Sequence, residues 1–262
     1  MKNNINKMSE WLRGQTAKSK TRGYVIGLSG GVDSTAACGL CVDAVGKKNV
    51  LGILLPSQFG YGNDVDDGIA VANHFGIKYI THPIGTTYES ICIFNNINIS
   101  DIAKGNVQAR LRMTILRMYA EFNSYLVCGT TNKSEDILGY FTKGGDGGSG
   151  VDVEPMSDFY KSEIVEIVKY YGLPDSLAFR TPSAGLWAGQ TDEGELGFTY
   201  DDFEKYWRWR ESRTDEQIMA RAVAGEGYVD DVPVDISIED KILYMYRATK
   251  HKRDVPPKYI RK

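Results

Sequence analysis

Apolar residues recur along the chain with two periods, and the periods separate predicted strands from predicted helices. Short continuous apolar runs bounded by turn residues predict buried strands, whereas apolar residues three or four positions apart predict amphipathic helices. The predicted strands cover residues 24–28, 50–55, 77–81 and 125–128. The predicted helices cover residues 1–20, 34–45, 64–75, 102–122, 164–171, 200–210, 214–224 and 238–250.

The helix predicted over residues 102–122 carries an apolar stripe, which we expect to face the core. The stripe consists of Leu111, Ile115, Met118 and Phe122. Two segments show no helical or strand period, and both are rich in glycine. We predict an irregular polar loop over residues 129–155, which is either a flexible surface loop or a loop that closes over a ligand. We predict a second long loop over residues 180–200.

Strands that alternate with helices through short connections predict right-handed crossovers and a mostly parallel sheet covered on both faces. The expected fold is therefore a single Rossmann-like α/β domain over residues 1–262. We divide it into an N-terminal helix (1–22), an α/β core (23–180) and a loop with C-terminal helices (181–262). Ligands bind beyond the carboxyl ends of strands in such sheets, which points to the segments after the first and fourth strands.

Composition excludes several classes of function. The chain has 262 residues and a formal net charge of -3, which gives no overall electrostatic reason to bind nucleic acid. No apolar run approaches the roughly 20 residues that a membrane helix needs, and the first residues are polar, so we expect a cytoplasmic protein. Cys38 and Cys41 lack further ligands for a zinc set, and we expect them to be small buried residues.

The sequence Ser-Gly-Gly-Val-Asp-Ser at residues 29–34 lies between the first predicted strand and the helix that follows. Gly30 and Gly31 let the backbone turn tightly and approach an anion, and the start of the helix favours negative charge. The two serines add hydroxyl donors. Because Asp33 places a carboxylate beside the expected phosphate, we predict a cation between them, and Mg²⁺ is the expected one.

Three other motifs do not account for this segment as well. A Walker loop requires a lysine after its glycines, and a dinucleotide fingerprint requires a glycine spacing that is absent here. Residues 27–31 do match the Gly-x-Ser-x-Gly elbow of α/β-hydrolases, with Ser29 as nucleophile and His251 late in the chain. However, too little sequence precedes Ser29 to supply the usual oxyanion strand, and a hydrolase leaves Asp33 and Ser34 unexplained.

The segment resembles the loop of the PP-loop ATP pyrophosphatases, whose Ser-Gly-Gly-x-Asp-Ser motif grips the pyrophosphate of ATP. Further segments, in the same order and spread over residues 24–257, resemble the ammonia-dependent NAD synthetases. They are Gly105-Asn106, Ala109–Met113, Gly129–Glu135, Gly139–Asp146, Tyr160-Lys161, Pro182-Ser183, Gln190–Glu193 with Gly197, and His251–Arg253. The resemblance implies an adenine-nucleotide alpha-hydrolase-like fold.

The resemblance implies a reaction in two steps. Nicotinate adenine dinucleotide (deamido-NAD) attacks the α-phosphate of ATP through its carboxylate, and ammonia then opens the acyl-adenylate to give NAD and AMP. ATP is thus a co-substrate and Mg²⁺ the cofactor. Glutamine-using relatives carry an extra glutaminase domain, for which this chain has no room, and no cysteine follows Met1. Free ammonia is therefore the expected nitrogen donor, and the family implies a homodimer.

Site residues carry over position by position. The implied ATP contacts are Gly27, Leu28, Ser29, Gly30, Gly31, Val32, Asp33, Ser34, Thr130, Lys161 and Ser183. Asp33 and Glu135 are the implied metal ligands. Lys161 would stabilise the leaving pyrophosphate, and Asp146, which lies between glycines, is the candidate that accepts a proton from ammonia.

The implied deamido-NAD contacts are Arg110, Lys143, Asp152, His251 and Lys252. Two features depart from the family pattern: Ser183 replaces a threonine, and residues 148–152 form a longer segment. Three other functions stay open from the residues alone. They are a different PP-loop ligase or amidotransferase subunit, a nucleotide sensor without turnover, and a hydrolase that uses Ser29.

Overall fold

Four short strands form the centre of the structure. They are β1 (Tyr24–Gly27), β2 (Val50–Leu54), β3 (Lys78–Thr81) and β4 (Leu126–Val127). They lie in the order β3-β2-β1-β4, and each neighbouring pair is parallel. This computed structural model describes residues 1–57, 64–93, 100–174, 189–214, 216–218, 232–255 and 257–259. The predicted parallel α/β fold is confirmed, and the finer division at residues 22 and 180 stays a prediction.

Helices connect and surround these strands. They are α1 (Lys2–Ser19), α2 (Val32–Val45), α3 (Asp64–Phe75), α4 (Gly85–Ile93), α5 (Asp101–Asn123), α6 (Lys133–Leu138), α7 (Lys161–Tyr170), α8 (Asp192–Leu196), α9 (Tyr200–Glu211), α10 (Ile236–Ala248) and α11 (Lys250–Arg253). None of the described helices combines the length and the apolar character needed to cross a membrane. The helix predicted at residues 214–224 falls mostly outside the described residues.

The strand order places a topological switch point between β1 and β4. The chain starts in β1, moves outward through β2 to β3, and then returns to the other side of β1 as β4. The connection from β1 to β2 and the connection from β3 to β4 therefore run in opposite directions across the sheet. A crevice opens at the carboxyl ends of two such strands. The segments that follow Gly27 and Val127 meet at this crevice.

A separate apolar core covers each face of the sheet, because residues of β1 alternate in direction. Tyr24 and Ile26 point into the core formed with α1, α2 and α7, whereas Val25 points into the core formed with α5. The Tyr24 hydroxyl donates a hydrogen bond of 2.7 Å to the carbonyl of Leu12, which ties α1 to the sheet. A third, aromatic cluster joins α6, α9 and α10 around Phe203 and Tyr206.

The predicted core face of α5 is wrong at its C-terminal end, although Ile115 of the predicted stripe does pack against the core. Met118 and Phe122 are 49% and 86% exposed, whereas Met113, Leu116 and Ala120 are buried against the sheet. The helix has two apolar faces, each with helical spacing, and the hydrophobic pattern alone gives no reason to prefer one. The side of α5 that faces β1 and β4 carries Met113, Leu116 and Ala120. Met118 and Phe122 therefore remain at the surface.

The two predicted loops contain regular structure. Residues 129–155 include α6 and the 3₁₀ turn Gly148–Gly150, and residues 180–200 include α8. Side-chain capping explains both helices: Asn132 accepts from the Glu135 N–H, and Thr191 accepts from the Gly194 N–H. Some of the polar residues in these segments are therefore helix caps. The prediction missed both helices because they are short and show no apolar period. Helix α4 was not predicted at all.

Close contact between α2 and the end of α7 depends on a glycine. A Cβ at Gly39 would lie 2.4 Å from a ring carbon of Tyr171. The Tyr171 hydroxyl donates a 2.9 Å hydrogen bond to Asp43, so the ring is held at both ends. The predicted burial of Cys38 and Cys41 in the same helix is confirmed.

We expect Gly39→Ala to lower the free energy of unfolding by about 1–3 kcal/mol, because the added methyl group overpacks a fixed contact. The matched control is Gly14→Ala in α1, where nothing lies within 4 Å of the new Cβ. That change should raise the free energy of unfolding by about 0.5–1 kcal/mol by removing the entropy cost of glycine. Urea unfolding followed by circular dichroism measures both. Equal stability of the two variants would contradict the packing described for Gly39.

Candidate active site

The segment between β1 and α2 forms an anion cradle at the switch point. Gly30 has a φ of 72°, a left-handed conformation that favours glycine. A Cβ there would lie 2.3 Å from Cβ of Asp67 on α3, so side-chain bulk is also excluded. Because Gly31 is the N-cap of α2, no N-cap side chain competes with a ligand for the first amide groups of the helix.

Hydrogen bonds of the Ser29 and Ser34 hydroxyl groups stabilise the conformation of this cradle. The Gly31 N–H donates to Ser29 Oγ at 3.2 Å, and Ser34 Oγ donates to the Gly31 carbonyl at 3.1 Å. The two serine oxygens lie 3.2 Å apart. Leu28 and Val32 are buried in the core, so they can contact a ligand only through their backbone. The Ser29 hydroxyl is thus hydrogen-bonded within the cradle. It does not stand alone on an exposed turn, as the nucleophile of an α/β-hydrolase elbow would.

Lys161 brings together the two carboxylates predicted as metal ligands. Its Nζ lies 2.6 Å from Oδ2 of Asp33 and 3.0 Å from Oε1 of Glu135. The three residues come from the starts of α2, α6 and α7, whose N-termini converge beside the cradle. The Lys161 side chain is only 8% exposed. The structure thus assembles Asp33, Glu135 and Lys161 into one cluster, as the resemblance implied.

The charges in this cluster influence one another strongly. Burial raises the pKa of Glu135 to about 8, since the opposing effect of Lys161 is partly cancelled by Asp33 and Asp192. Burial alone would lower the pKa of Lys161, but Asp33 and Glu135 outweigh it, and the net pKa is raised. Lys161 therefore stays protonated at neutral pH, and its one ammonium group contacts both acidic side chains.

Two residues that support the cluster were given no role by sequence reasoning. Asn132 Nδ2 donates to Oδ1 of Asp33 at 2.8 Å, while the Asn132 side chain and that of Glu135 form a capping box at the start of α6. Ser134 Oγ accepts the backbone N–H of Lys161 at 3.1 Å. The Asn-x-x-Glu spacing of a capping box was the signal that would have identified Asn132.

Asp192 and Tyr200 also lie close to Lys161. The Tyr200 ring lies 5.2 Å from Lys161 Nζ, and its hydroxyl donates to Oδ2 of Asp192 at 3.1 Å. Asp192 is buried, and its Oδ1 has no hydrogen-bond partner among the described residues. Burial raises the pKa of Asp192, although Lys161 opposes the effect. This third acid was part of the quoted motif but received no role.

A second, basic cluster lies where the C-terminal helix α11 contacts residues 139–143. Lys252 Nζ donates to the carbonyls of Gly139 and Phe141, both at 2.7 Å, and Lys143 Nζ donates to the carbonyl of His251 at 2.6 Å. Burial lowers the pKa of Lys252, and the nearby Arg110 adds to the effect. Four of the five residues predicted to bind the dinucleotide therefore lie in one region.

Asp146 connects the two clusters. Its Oδ1 accepts the Thr142 N–H at 2.8 Å, and its carbonyl accepts from Thr131 Oγ1 at 3.4 Å, next to Asn132. The residue keeps an exposed surface, yet the surrounding protein raises the pKa of its carboxyl by desolvation, against hydrogen bonding by Thr142. A base with a raised pKa at an accessible position suits proton transfer.

The remaining predicted residues differ in their surroundings. Thr130 is half-buried and lies three residues after the end of β4. Both oxygens of Asp152 are engaged: Oδ1 pairs with Arg117 at 2.5 Å and Oδ2 accepts the Val127 N–H at 2.8 Å. Its predicted role in substrate binding stays a prediction. Ser183 lies outside the described residues.

Comparison with known proteins agrees with this arrangement. A model of the NAD synthase family matches residues 4–256. The NH(3)-dependent NAD(+) synthetase of Carboxydothermus hydrogenoformans is 38% identical over 254 residues, which cover 95% of this chain and 94% of that protein.

Solved structures give the same result. The NMN synthetase from Francisella tularensis matches with a TM-score of 0.84 and 31% identity over 98% of both chains. The NH3-dependent NAD synthetase from Campylobacter jejuni matches with a TM-score of 0.78 and 25% identity over 99% of both chains. The family match over nearly all of the sequence, together with the cradle and the Asp33–Lys161–Glu135 cluster, shows that the chain belongs to the NAD synthase family.

Proposed function

We propose that this protein amidates deamido-NAD to NAD through an acyl-adenylate, with ATP as co-substrate and ammonia as nitrogen donor. The observation that carries the proposal is the Asp33–Lys161–Glu135 cluster beside the anion cradle, in a chain whose relatives include NH(3)-dependent NAD(+) synthetases. A carboxylate has no good leaving group at neutral pH. Adenylation supplies one, because AMP can leave from the mixed anhydride.

In the first step, a carboxylate oxygen of deamido-NAD bonds to the α-phosphorus of ATP as the bond to pyrophosphate breaks. The cradle at residues 29–34 binds the phosphates through backbone amides and the two serine hydroxyls. Thr130 and Ser183 are proposed as further ATP contacts. Lys161 lies beside the cradle and donates to the oxygens that gain charge as pyrophosphate leaves.

The donor set of the site fits Mg²⁺. Asp33 and Glu135 already converge on one cation, Lys161, and carboxylate oxygens are the ligands that this hard metal ion prefers. We propose that these two residues hold Mg²⁺ together with phosphate oxygens. When bound, the metal ion neutralises phosphate charge and so favours departure of the pyrophosphate.

In the second step, the nitrogen of ammonia bonds to the carbonyl carbon of the acyl-adenylate as the bond to AMP breaks. The nitrogen must lose a proton, and we propose Asp146 as the group that accepts it. Arg110, Lys143, His251 and Lys252 are proposed to bind the phosphates and sugar of the dinucleotide. Lys143 contacts the His251 carbonyl, and Lys252 lies near both Asp146 and Arg110. Asp152 is proposed to contact the same substrate from the neighbouring segment.

A second acceptor is favoured by one specific comparison. The NMN synthetase from Francisella tularensis matches this chain with 31% identity and a TM-score of 0.84. The same two steps would convert nicotinate mononucleotide to its amide. The two acceptors carry the same reacting carboxylate, so the cradle and the cluster serve either one, and contacts to the adenylate half of the dinucleotide decide between them.

We also propose a homodimer in the cytoplasm. Phe122 on α5 lies at the surface beside Tyr79 and Ile80 of the edge strand β3. Met118, four residues before Phe122 on the same helix, is a further exposed apolar side chain. A continuous apolar face of this kind is typical of a contact between subunits. The three described cysteines are free thiols, as expected in a reducing compartment.

The function is tested by incubating the purified chain with ATP, Mg²⁺ and ammonium, and with either deamido-NAD or nicotinate mononucleotide. We expect NAD, AMP and pyrophosphate in equal amounts, with kcat/KM higher for the dinucleotide. Higher kcat/KM for the mononucleotide would select the second acceptor. Glutamine in place of ammonium should give no product, and no product with either acceptor would contradict the proposal.

Asp146→Asn should separate the two steps. The amide cannot accept a proton, so we expect NAD formation to fall by about 10²–10⁴-fold. Exchange of labelled pyrophosphate into ATP, which reports adenylation alone, should stay within severalfold of the unchanged protein. Asp158→Asn, at an exposed position on the segment before α7, is the control for loss of a carboxylate. Equal loss of exchange and NAD formation would contradict the role of Asp146.

Phe122→Asp should convert a dimer to a monomer, because it places a charge in the middle of the apolar face. Light scattering after size-exclusion chromatography measures the mass. Tyr244→Asp on α10 removes an aromatic ring that is 73% exposed, and it should leave the dimer intact. If Phe122→Asp keeps the mass of the unchanged protein, the face on α5 and β3 is not the subunit contact.

A further inference from the structure

Lys161 occupies the position at which Asp33 and Glu135 can share a cation. Its Nζ binds Oδ2 of Asp33 and Oε1 of Glu135. Asn132 holds the other two carboxylate oxygens, because its Nδ2 donates to Asp33 Oδ1 at 2.8 Å and its N–H donates to Glu135 Oε2 at 3.4 Å. A divalent cation held between the two facing oxygens would lie where the ammonium of Lys161 lies.

We propose that Lys161 is the resident counter-ion of the nucleotide-free site, and that a divalent cation enters only when the ammonium group leaves the two carboxylates for a nucleotide phosphate. The metal and nucleotide in this inference rest on the proposed function. In this proposal the Lys161 ammonium has two positions. In one, which the structure shows, it contacts the two carboxyl groups. In the other, it contacts a nucleotide phosphate. The two positions make metal binding depend on nucleotide binding.

Space and charge both favour the exchange. The ammonium nitrogen lies within hydrogen-bond distance of both facing oxygens, so a second cation cannot take the same position. A divalent cation placed close to the ammonium would also repel it, because charges interact strongly in a partly buried site. The position between Asp33 and Glu135 therefore holds one cation at a time.

The backbone at Lys161 is fixed while its side chain has a reach of several bonds. The Lys161 N–H donates to Ser134 Oγ, and the residue begins α7. The Tyr200 ring lies 5.2 Å from the ammonium, and Asp33, which the ammonium contacts, is itself part of the cradle at residues 29–34. Rotation about the side-chain bonds moves the charge from carboxylates to phosphates without moving the helix.

Two opposite effects are expected from Lys161→Gln, which removes the charge. In the absence of nucleotide, Mn²⁺ should bind about tenfold or more tightly than to the unchanged full-length chain, because it no longer displaces an ammonium. With the α,β-methylene analogue of ATP present, the variant should bind the Mn²⁺–nucleotide complex more weakly. Electron paramagnetic resonance of free Mn²⁺ measures the first effect, and calorimetry measures the second.

Three variants control the measurement. Lys161→Arg keeps the charge and should bind free Mn²⁺ as weakly as the unchanged protein, and Lys161→Met provides a second neutral variant if glutamine impairs folding. Lys169→Gln breaks a 2.7 Å pair with Glu166 on the exposed side of the same helix and should change neither affinity. Circular dichroism confirms that each variant is folded.

Unchanged or weaker binding of free Mn²⁺ by folded Lys161→Gln and Lys161→Met would overturn the inference, as would equally tight binding by Lys161→Arg. These measurements use no nicotinate acceptor. A protein that shows the exchange but forms no NAD would keep the counter-ion role and lose the proposed function. A protein that forms NAD but shows no exchange would lose only the inference.

Discussion

The ammonium group of Lys161 between Asp33 and Glu135 is the interaction on which the site depends. It joins residues that are 128 and 26 positions apart in sequence, and it fixes the starts of three helices next to one another. Partly buried acids of like charge are costly unless a cation accompanies them. Lys161 supplies that cation in the structure, and under the proposed function the same charge would also serve the phosphates of a bound nucleotide.

The fold places this cluster where a nucleotide can reach it. Strand order β3-β2-β1-β4 puts the ends of β1 and β4 side by side at the switch point, so the cradle after β1 faces the segment that carries Thr130 to Glu135. Asn132 connects the two directly through Asp33. The basic cluster of α11 and residues 139–143 then borders the same crevice through Asp146 and Thr131. The chemistry is thus distributed over the chain but assembled at one edge of the sheet.

Local patterns in the sequence were sufficient for the fold and for the anion cradle. Backbone conformation depends mainly on neighbouring residues. The apolar runs therefore predict β1 and β2, and Gly30 and Gly31 predict the tight turn between β1 and α2. The core face of α5 could not be predicted, because Met113 and Leu116 compete with Met118 and Phe122 at equal spacing and only the sheet decides between them. The Asn-x-x-Glu spacing is a local signal for Asn132 as a helix cap. Its hydrogen bond to Asp33, and the position of Asp192 near Lys161, arise from contacts between distant segments, and no local pattern encodes such contacts.

The central claim is that the cradle and the Asp33–Lys161–Glu135 cluster transfer the adenylyl group of ATP to a carboxylate. The most direct test uses deamido-NAD labelled with ¹⁸O in its nicotinate carboxylate. During one turnover with ATP and ammonium, the oxygen that attacks the α-phosphorus must leave with AMP, so mass spectrometry should find one ¹⁸O in AMP and none in pyrophosphate. Unlabelled AMP, or label in pyrophosphate, would contradict the account.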